Sequence, residues 1–255
     1  MTFFQHITFD LDDTLLDTSG ALIPVAARRA IEVMTSALKV PHETQTWIQR
    51  RLDILRANPR ADVWLQLAGG DDEVADLGRR AFFTHPIEAV PDEALRPTIG
   101  AFEILDWARE HATLHLVTSG DAVTQAKKVA RLGVSRYFDS IQYVDAKHAM
   151  PTKLAGAQDH HSHPKNLAFQ KIQARFSDLS PAQFVSIGNR VDTDLGEAKM
   201  LGWKTVWIRH GEHANLTPQN ANEIPDYEVA SLADLLTIWR QQFLALGPKG
   251  AAWKG

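Results

Sequence analysis

Two hydrophobic periods run along this chain, and the changes between them divide it. A short apolar run, Ile7-Thr8-Phe9, stops abruptly at Asp10, Asp12, Asp13 and Thr14. Its β-branched and aromatic residues suit a buried strand. From Ser19 to about Pro97 helical spacing takes over. Residues 21–39 carry Ala26, Ala30, Ile31, Met34 and Leu38 at helical intervals, and Pro41 stops the pattern. Further helices are predicted over 43–57, 61–67 and 72–83, punctuated by Gly69, Gly70, Pro86, Pro91 and Pro97. No strand is predicted in this block.

After it, strand and helix patterns alternate. Helices are predicted over 99–110, 122–132, 167–176, 193–201 and 232–246. Strands are predicted over 114–117, 141–144, 184–187, 204–208 and 227–229. Such alternation implies a doubly wound, parallel α/β sheet, in which ligands collect at the carboxyl ends of the strands. The polar strings Asp10-Leu11-Asp12-Asp13, Thr118-Ser119-Gly120 and Gly188-Asn189 stand at those ends.

Three aspartates in four positions after an apolar strand call for a partner. One Asp, or two, would pass as ordinary turn residues. Three carboxylates at the tip of a buried strand are costly without compensation, and a divalent cation is an obvious source of it. Asp10 and Asp12 would share a face in a continuous strand. A turn there would let one offer a side chain and the other a backbone carbonyl to the same ion.

Composition narrows the class without choosing within it. The 255 residues are 44% hydrophobic and 23% charged, which fits a folded domain and argues against disorder. A net charge of −4, with no basic stripe interleaved with aromatics, gives no nucleic-acid surface. With no cysteine, disulfides and thiolate chemistry are excluded. No apolar run approaches membrane-spanning length and no basic-then-apolar leader opens the sequence, so a cytoplasmic location is expected.

The string DLDDTLLDT resembles the first signature, D-x-D-x-T, of the haloacid dehalogenase-like hydrolase superfamily, most of whose members are magnesium-dependent phosphatases. Its helical continuation resembles the capped branch containing N-acylneuraminate-9-phosphatase-like and archaeal hydrolases. The resemblance implies a Rossmann-like core over residues 1–17 and 98–255, with a helical cap over 18–97 that covers the substrate. It implies Asp10 as the nucleophile of an aspartyl-phosphate intermediate. Asp12 would protonate the leaving oxygen and then activate water. Thr118 and Ser119 would hold the phosphoryl oxygens, helped by the amides that open the next helix, although a Ser/Thr helix cap would read the same way.

The later signatures depart from the pattern. The third is Lys-Pro, with Phe five residues after the Pro. Here His163-Pro164 precedes Phe169 at that spacing, so His163 stands where Lys is expected. Lys165 is the chosen replacement, with Lys147, Lys153 or a protonated His163 as alternatives. The fourth, G-D-x-x-x-x-D, reads GNRVDTD: Asn189 takes the first ligand position, Asp194 the second, and Asp192 is extra. The implied Mg2+ ligands are Asp10, Asp12, Asn189 and Asp194. Downstream, EAKMLGWKTVWIRHGEH resembles the helix-strand-loop that follows this signature in related hydrolases.

The leading expectation is a magnesium-dependent phosphatase of a small phosphorylated metabolite, with oligomeric state left open. One alternative is a metal-free haloacid dehalogenase, whose pattern Asn189-x-x-Asp192 resembles, although Asp12 argues against it. Another is a weakly catalytic protein that binds a phosphorylated ligand. Asp159, His160, His161 and His163 suggest zinc, but a solvated loop explains them as well. Trp47, Arg50, Arg51, Arg60 and Trp64 lie in the cap block, where packing and solvated faces account for them.

Overall fold

Four consecutive buried residues form β1 (His6–Phe9), as expected for a strand with neighbours on both sides and helices on both faces. In the computed structural model, which describes residues 4–41, 43–84, 87–145 and 163–246, β1 lies inside a six-stranded sheet. The other strands are β2 (Thr113–Ser119), β3 (Ser140–Val144), β4 (Phe184–Gly188), β5 (Lys204–Ile208) and β6 (Tyr227–Val229). Their spatial order is β3-β2-β1-β4-β5-β6 and every pairing is parallel. The doubly wound sheet inferred from the sequence is therefore present.

Register decides where the polar strings end up. Phe9 lies opposite Leu116 of β2 and Ile187 of β4. Asp10, Thr118 and Asn189 follow those residues by one or two positions, so they emerge together at the carboxyl edge. The strand order reverses at β1, with β2 on one side and β4 on the other, which is where open α/β sheets form their ligand crevice.

Alternate residues face opposite layers. Ile7, Phe9, Leu114, Leu116, Val185 and Ile187 share one buried cluster with Ile104 and Leu105 of α6 (Ala101–Ala108) and Leu235 and Trp239 of α10 (Leu232–Leu246). On the other face Val117 and Phe184 pack with Phe169 of α8 (Lys165–Ala174) and with Trp203. A further helix, α7 (Ala122–Leu132), follows β2; Asp121 caps it and a left-handed Gly133 ends it.

The inserted block folds as α1 (Thr18–Ala21), α2 (Ile23–Leu38), α3 (Thr44–Ala57), α4 (Val63–Leu67) and α5 (Asp72–Phe83). Its helices have an apolar cluster of their own, built on Ala30, Met34, Trp64, Leu67 and Ala75. The chain leaves and rejoins the sheet through one ribbon: the Asp17 amide donates to the Arg96 carbonyl and the Thr98 amide to the Leu15 carbonyl, both at 2.9 Å. Among the described residues, no helix is long and apolar enough to cross a membrane.

One element departs from its expected form. The helix predicted over 193–201 is instead a π-helical turn, Val191–Gly196, followed by the single α-turn α9 (Glu197–Lys199). The amide of Leu195 reaches back five residues to the Arg190 carbonyl at 3.3 Å. The widened turn accompanies a buried Asp194 whose carboxylate is engaged on both oxygens, a side-chain requirement that helical periodicity does not register.

Candidate active site

The tip of β1 is built by a tight turn. The Asp10 amide extends the ladder to the Ile187 carbonyl at 2.9 Å, and then the Leu11 carbonyl collects the amides of Thr14, Leu15 and Leu16. Asp13 takes a left-handed φ of 55°. The turn separates the three aspartates. Asp13 swings to Ser19, accepting from its amide and its hydroxyl at 2.6 Å each. Asp10 and Asp12 go to different partners nearer the mouths of β2 and β4.

Lys165 is the first residue of α8, and only 3% of it is exposed. Its Nζ lies 2.6 Å from Asp10 Oδ1 and 2.5 Å from Asp194 Oδ1, so one ammonium serves two buried carboxylates. Burial pushes the Asp10 carboxyl up to about 7, with Asp194 and Asp12 adding repulsion against the pull of Lys165. Burial opposes the charge on Lys165 as well, but the two aspartates more than reverse that and hold it protonated above the usual lysine value. The Lys165 ammonium therefore stays charged between the two carboxylates, while burial works against the ionised form of Asp10.

His163 does not supply a cation here. Burial, with help from the Lys165 charge, lowers its pKa to about 4. Its Nδ1 lies 3.2 Å from the Lys165 backbone amide, which donates to it, and its own amide donates to Glu197 Oε1 at 2.6 Å. His163 thus organises the start of α8, and burial works against the protonated form that the alternative to Lys165 required. Lys147 and Lys153 lie outside the described residues, as do Asp159, His160 and His161.

Asp12 is held from three sides. Thr18 Oγ1 donates to its Oδ1 at 2.6 Å, Lys128 Nζ to the same oxygen at 2.7 Å, and Gln125 Nε2 to Oδ2 at 2.8 Å. Burial would raise its pKa, but the charge of Lys128 and these hydrogen bonds outweigh it and hold the carboxyl below its ordinary value. The side chain of Asp12 is still 29% exposed, so it faces both its donors and the solvent.

The end of β2 is partly satisfied within the protein. Thr118 is fully buried and its hydroxyl accepts from Gln125 Nε2 at 2.6 Å. The Gly120 amide is taken by the Val144 carbonyl at 2.9 Å, and the amides of Thr124 and Gln125 by Asp121. The Ser119 hydroxyl is left buried with no hydrogen-bond partner among the described residues. An orphaned donor at a strand tip is the kind of feature that an anion would satisfy.

The fourth string is divided in the same manner. The Asn189 carbonyl accepts from the Trp207 indole at 2.9 Å, while its side-chain amide makes no hydrogen bond among the described residues. Asp194 is spent on protein donors: Lys165 and the Thr193 hydroxyl at Oδ1, and the Arg190 amide at Oδ2. A Cβ at Gly188 would come within 2.3–2.5 Å of the Asp194 side chain, so glycine is required for that carboxylate to pack here. Asp192 is drawn to Arg190 and to Arg60 of the inserted block, and its carboxyl is lowered to about 2; burial opposes this, and the Arg190 contacts prevail.

Several participants have no signature in the sequence. Gln125 and Lys128 lie three apart on one face of α7, so both can reach Asp12; an amphipathic helix just after the Thr118 strand is the one signal that could have pointed to them. Arg51 of α3 meets Glu212 in a bidentate pair at 2.5 and 2.7 Å, and Arg60 meets Glu223, Asp192 and the Thr217 carbonyl. These join α3 and the loop after it to segments beyond β4 and β5. Asp13, Asp17 and His210 also place ligand atoms within 4.8 Å of one another. Asp13 is already satisfied by Ser19 and Asp17 by His210 and the Gly20 amide.

The sequence model of the family described as haloacid dehalogenase-like hydrolases matches residues 4–202. The glyceraldehyde 3-phosphate phosphatase of Methanopyrus kandleri is 28% identical over 244 residues, covering 93% of this chain and 97% of that protein. Human N-acylneuraminate-9-phosphatase is 24% identical, covering 91% and 92% of the two chains. A crystal structure of a phosphatase from Thermococcus onnurineus superposes with a TM-score of 0.56 at 21% identity, covering 92% of this chain and 98% of that one, a likeness of fold. A family match that runs from β1 through the Asp194 turn takes in each of the strand tips described above, and this chain belongs to the haloacid dehalogenase-like hydrolases.

Proposed function

We propose that this hydrolase is a magnesium-dependent phosphatase acting on a small phosphorylated metabolite through an aspartyl-phosphate on Asp10. The observation that carries the reading is the division of labour between two carboxylates at one strand tip. Asp10 is buried against an ammonium, while Asp12 is separately held by three donors and faces solvent. A dehalogenase needs the first and has no use for the second. Asp192, whose spacing from Asn189 suggested that alternative, is turned to Arg190 and Arg60. The relatives named for glyceraldehyde 3-phosphate and N-acylneuraminate 9-phosphate favour sugar-like phosphates as the substrate class.

In this reading Asp10 attacks phosphorus, the bond to the leaving oxygen breaks, and Asp12 gives that oxygen a proton. Water then attacks the aspartyl-phosphate, with Asp12 taking the proton back. Lys165 offsets the repulsion between the attacking carboxylate and the phosphoryl anion, and the Ser119 hydroxyl offers a donor to its oxygens. The donors around Asp12 favour its ionised form, the one needed in the second half-reaction. Leaving groups that depend on a proton are therefore the harder substrates.

The residues that fit Mg2+ are Asp10, the Asp12 backbone carbonyl and the Asn189 side-chain amide, all hard oxygen donors. When bound, the ion would screen the phosphoryl charge. Asp194, the fourth expected ligand, spends Oδ1 on Lys165 and Thr193 and accepts one amide at Oδ2, so its part in this reading is to orient Lys165 and to add an oxygen beside the ion. Residues 18–97 would act as a cap over a core of 1–17 and 98–255, docked through Arg51 and Arg60, and would exclude water and select the substrate. The test is a panel of phosphorylated sugars, glycerol phosphates and nucleotides, with Mg2+ or with a chelator, on wild type and Asp10→Asn. Turnover that survives either the chelator or the substitution refutes the mechanism.

A further inference from the structure

Gln125 is buried in the first turn of α7, 2% exposed, and its amide nitrogen is crowded by acceptors. Asp12 Oδ2 lies at 2.8 Å, Thr118 Oγ1 at 2.6 Å and the Ser119 carbonyl at 3.1 Å. A carboxylate and a carbonyl can only accept, so the NH2 end of the amide must face them; the flipped amide would set oxygen against oxygen. Two protons shared among three acceptors bind the tips of β1 and β2 together. The neighbouring Gly120 leaves room for this: it has φ +142°, and a Cβ there would come within 3.3 Å of Gln125 Cγ and Cδ.

Each other donor to Asp12 sits on Oδ1: Thr18 from the start of the insertion and Lys128 from one turn along α7. Gln125 alone among the described residues restrains Oδ2. Without it the carboxylate could turn about its Oδ1 anchors, and its direction at the strand tip would no longer be fixed. We infer that Gln125 is a positioning residue that aims Asp12 at the leaving-group oxygen. This rests on the phosphatase reading and deepens it.

The test uses full-length protein with Mg2+ and a series of ring-substituted phenyl phosphates, which hold substrate shape nearly constant while leaving-group basicity varies. Gln125→Met conserves length and volume and removes both donors. The value of kcat/KM, which reports the step that releases the phenol, should fall most for the most basic leaving groups. A gap of roughly tenfold between phenyl and 4-nitrophenyl phosphate is expected, at the low end of what positioned general acids contribute. Gln125→Glu, isosteric but facing Asp12 with an acceptor, should widen that gap. Equal losses across the series, or none, would mean that Gln125 merely fills space, and the inference falls.

A crystal structure of Gln125→Met supplies a readout independent of turnover. The Asp12 carboxylate should rotate toward Lys128 and Thr18; an unmoved carboxylate overturns the inference whatever the kinetics. Should wild type hydrolyse no phosphate ester, the proposed function fails separately, and the crystal structure still decides the role of Gln125.

Discussion

Replacing Lys165 with Met tests the electrostatic centre of the site. The substitution keeps the length of the side chain and removes its charge. Asp10 and Asp194 are then left facing each other in a buried space, where each had an ammonium oxygen-to-nitrogen contact of 2.6 or 2.5 Å. Removing one partner of a buried ion pair costs roughly 3–5 kcal/mol, because the other charge remains desolvated. A cation shared by two carboxylates places this case near the upper half of that range. At about 4 kcal/mol the folded-to-unfolded ratio falls roughly a thousandfold, and the melting temperature drops by about 8–16 °C for a chain of this size.

The pH dependence supplies a sign. Asp10 already has a folded pKa of about 7 against an ordinary value of 3.8. A carboxyl raised in this way favours folding while protonated, and that contribution is lost as pH climbs through the folded pKa. Without Lys165 the folded value rises further, so the deficit should be largest at pH 8 and shrink toward pH 5. Urea unfolding in EDTA at both pH values measures it, with metal unable to mask the missing charge. A deficit under about 1 kcal/mol at pH 8, or one that grows in acid, would refute the assignment of Lys165 as the shared counter-charge.

Three further outcomes follow from other parts of the molecule. Asn189→Asp adds a carboxylate beside Asp10, so the Mg2+ concentration for half-maximal activity should fall about tenfold while stability in EDTA declines; a Mg2+ titration that does not move would remove Asn189 from the ligand set. His115 is buried and bonded to His6 and Ser140, with a pKa lowered by burial to about 3. A lowered histidine loses stability as pH falls below the ordinary 6.5, so wild type should lose about 2 kcal/mol from this residue between pH 7.5 and 5, and His115→Gln should not; parallel stability curves would contradict this. Arg51→Met breaks the bidentate pair to Glu212 and two ring contacts, to Trp64 and Phe82. It should cost about 2–3 kcal/mol and raise KM more than it lowers kcat, and unchanged KM would argue against a docking role for α3.

The order of elements was legible because it depends on neighbours in the chain. Alternation of apolar strand and amphipathic helix is written within windows of about 11–18 residues, and six strands emerged where the pattern placed them. The aspartates after β1 were legible for the same reason, since a buried strand and its polar tip are adjacent. Where a local pattern competed with a distant demand, it misled. Residues 193–201 have helical spacing, yet Asp194 must turn both oxygens inward, and the backbone opened into a π-turn to allow it. The Gly120 amide after Thr118 suggested an anion donor, but the Val144 carbonyl of the neighbouring strand claims it.

The sequence by itself determined a doubly wound core, an inserted helical block and a pair of acidic groups at the first strand tip. Only the tertiary structure decided which cation they meet. Lys165 reaches Asp10 across 155 positions, Lys128 reaches Asp12 across 116, and Arg51 reaches Glu212 across 161. Contacts of that kind depend on which strand edges become neighbours and how α7 and α8 lie over them. Charge pairing acts over a few ångströms of space and has no fixed spacing along the chain, so it becomes readable when the sheet has closed.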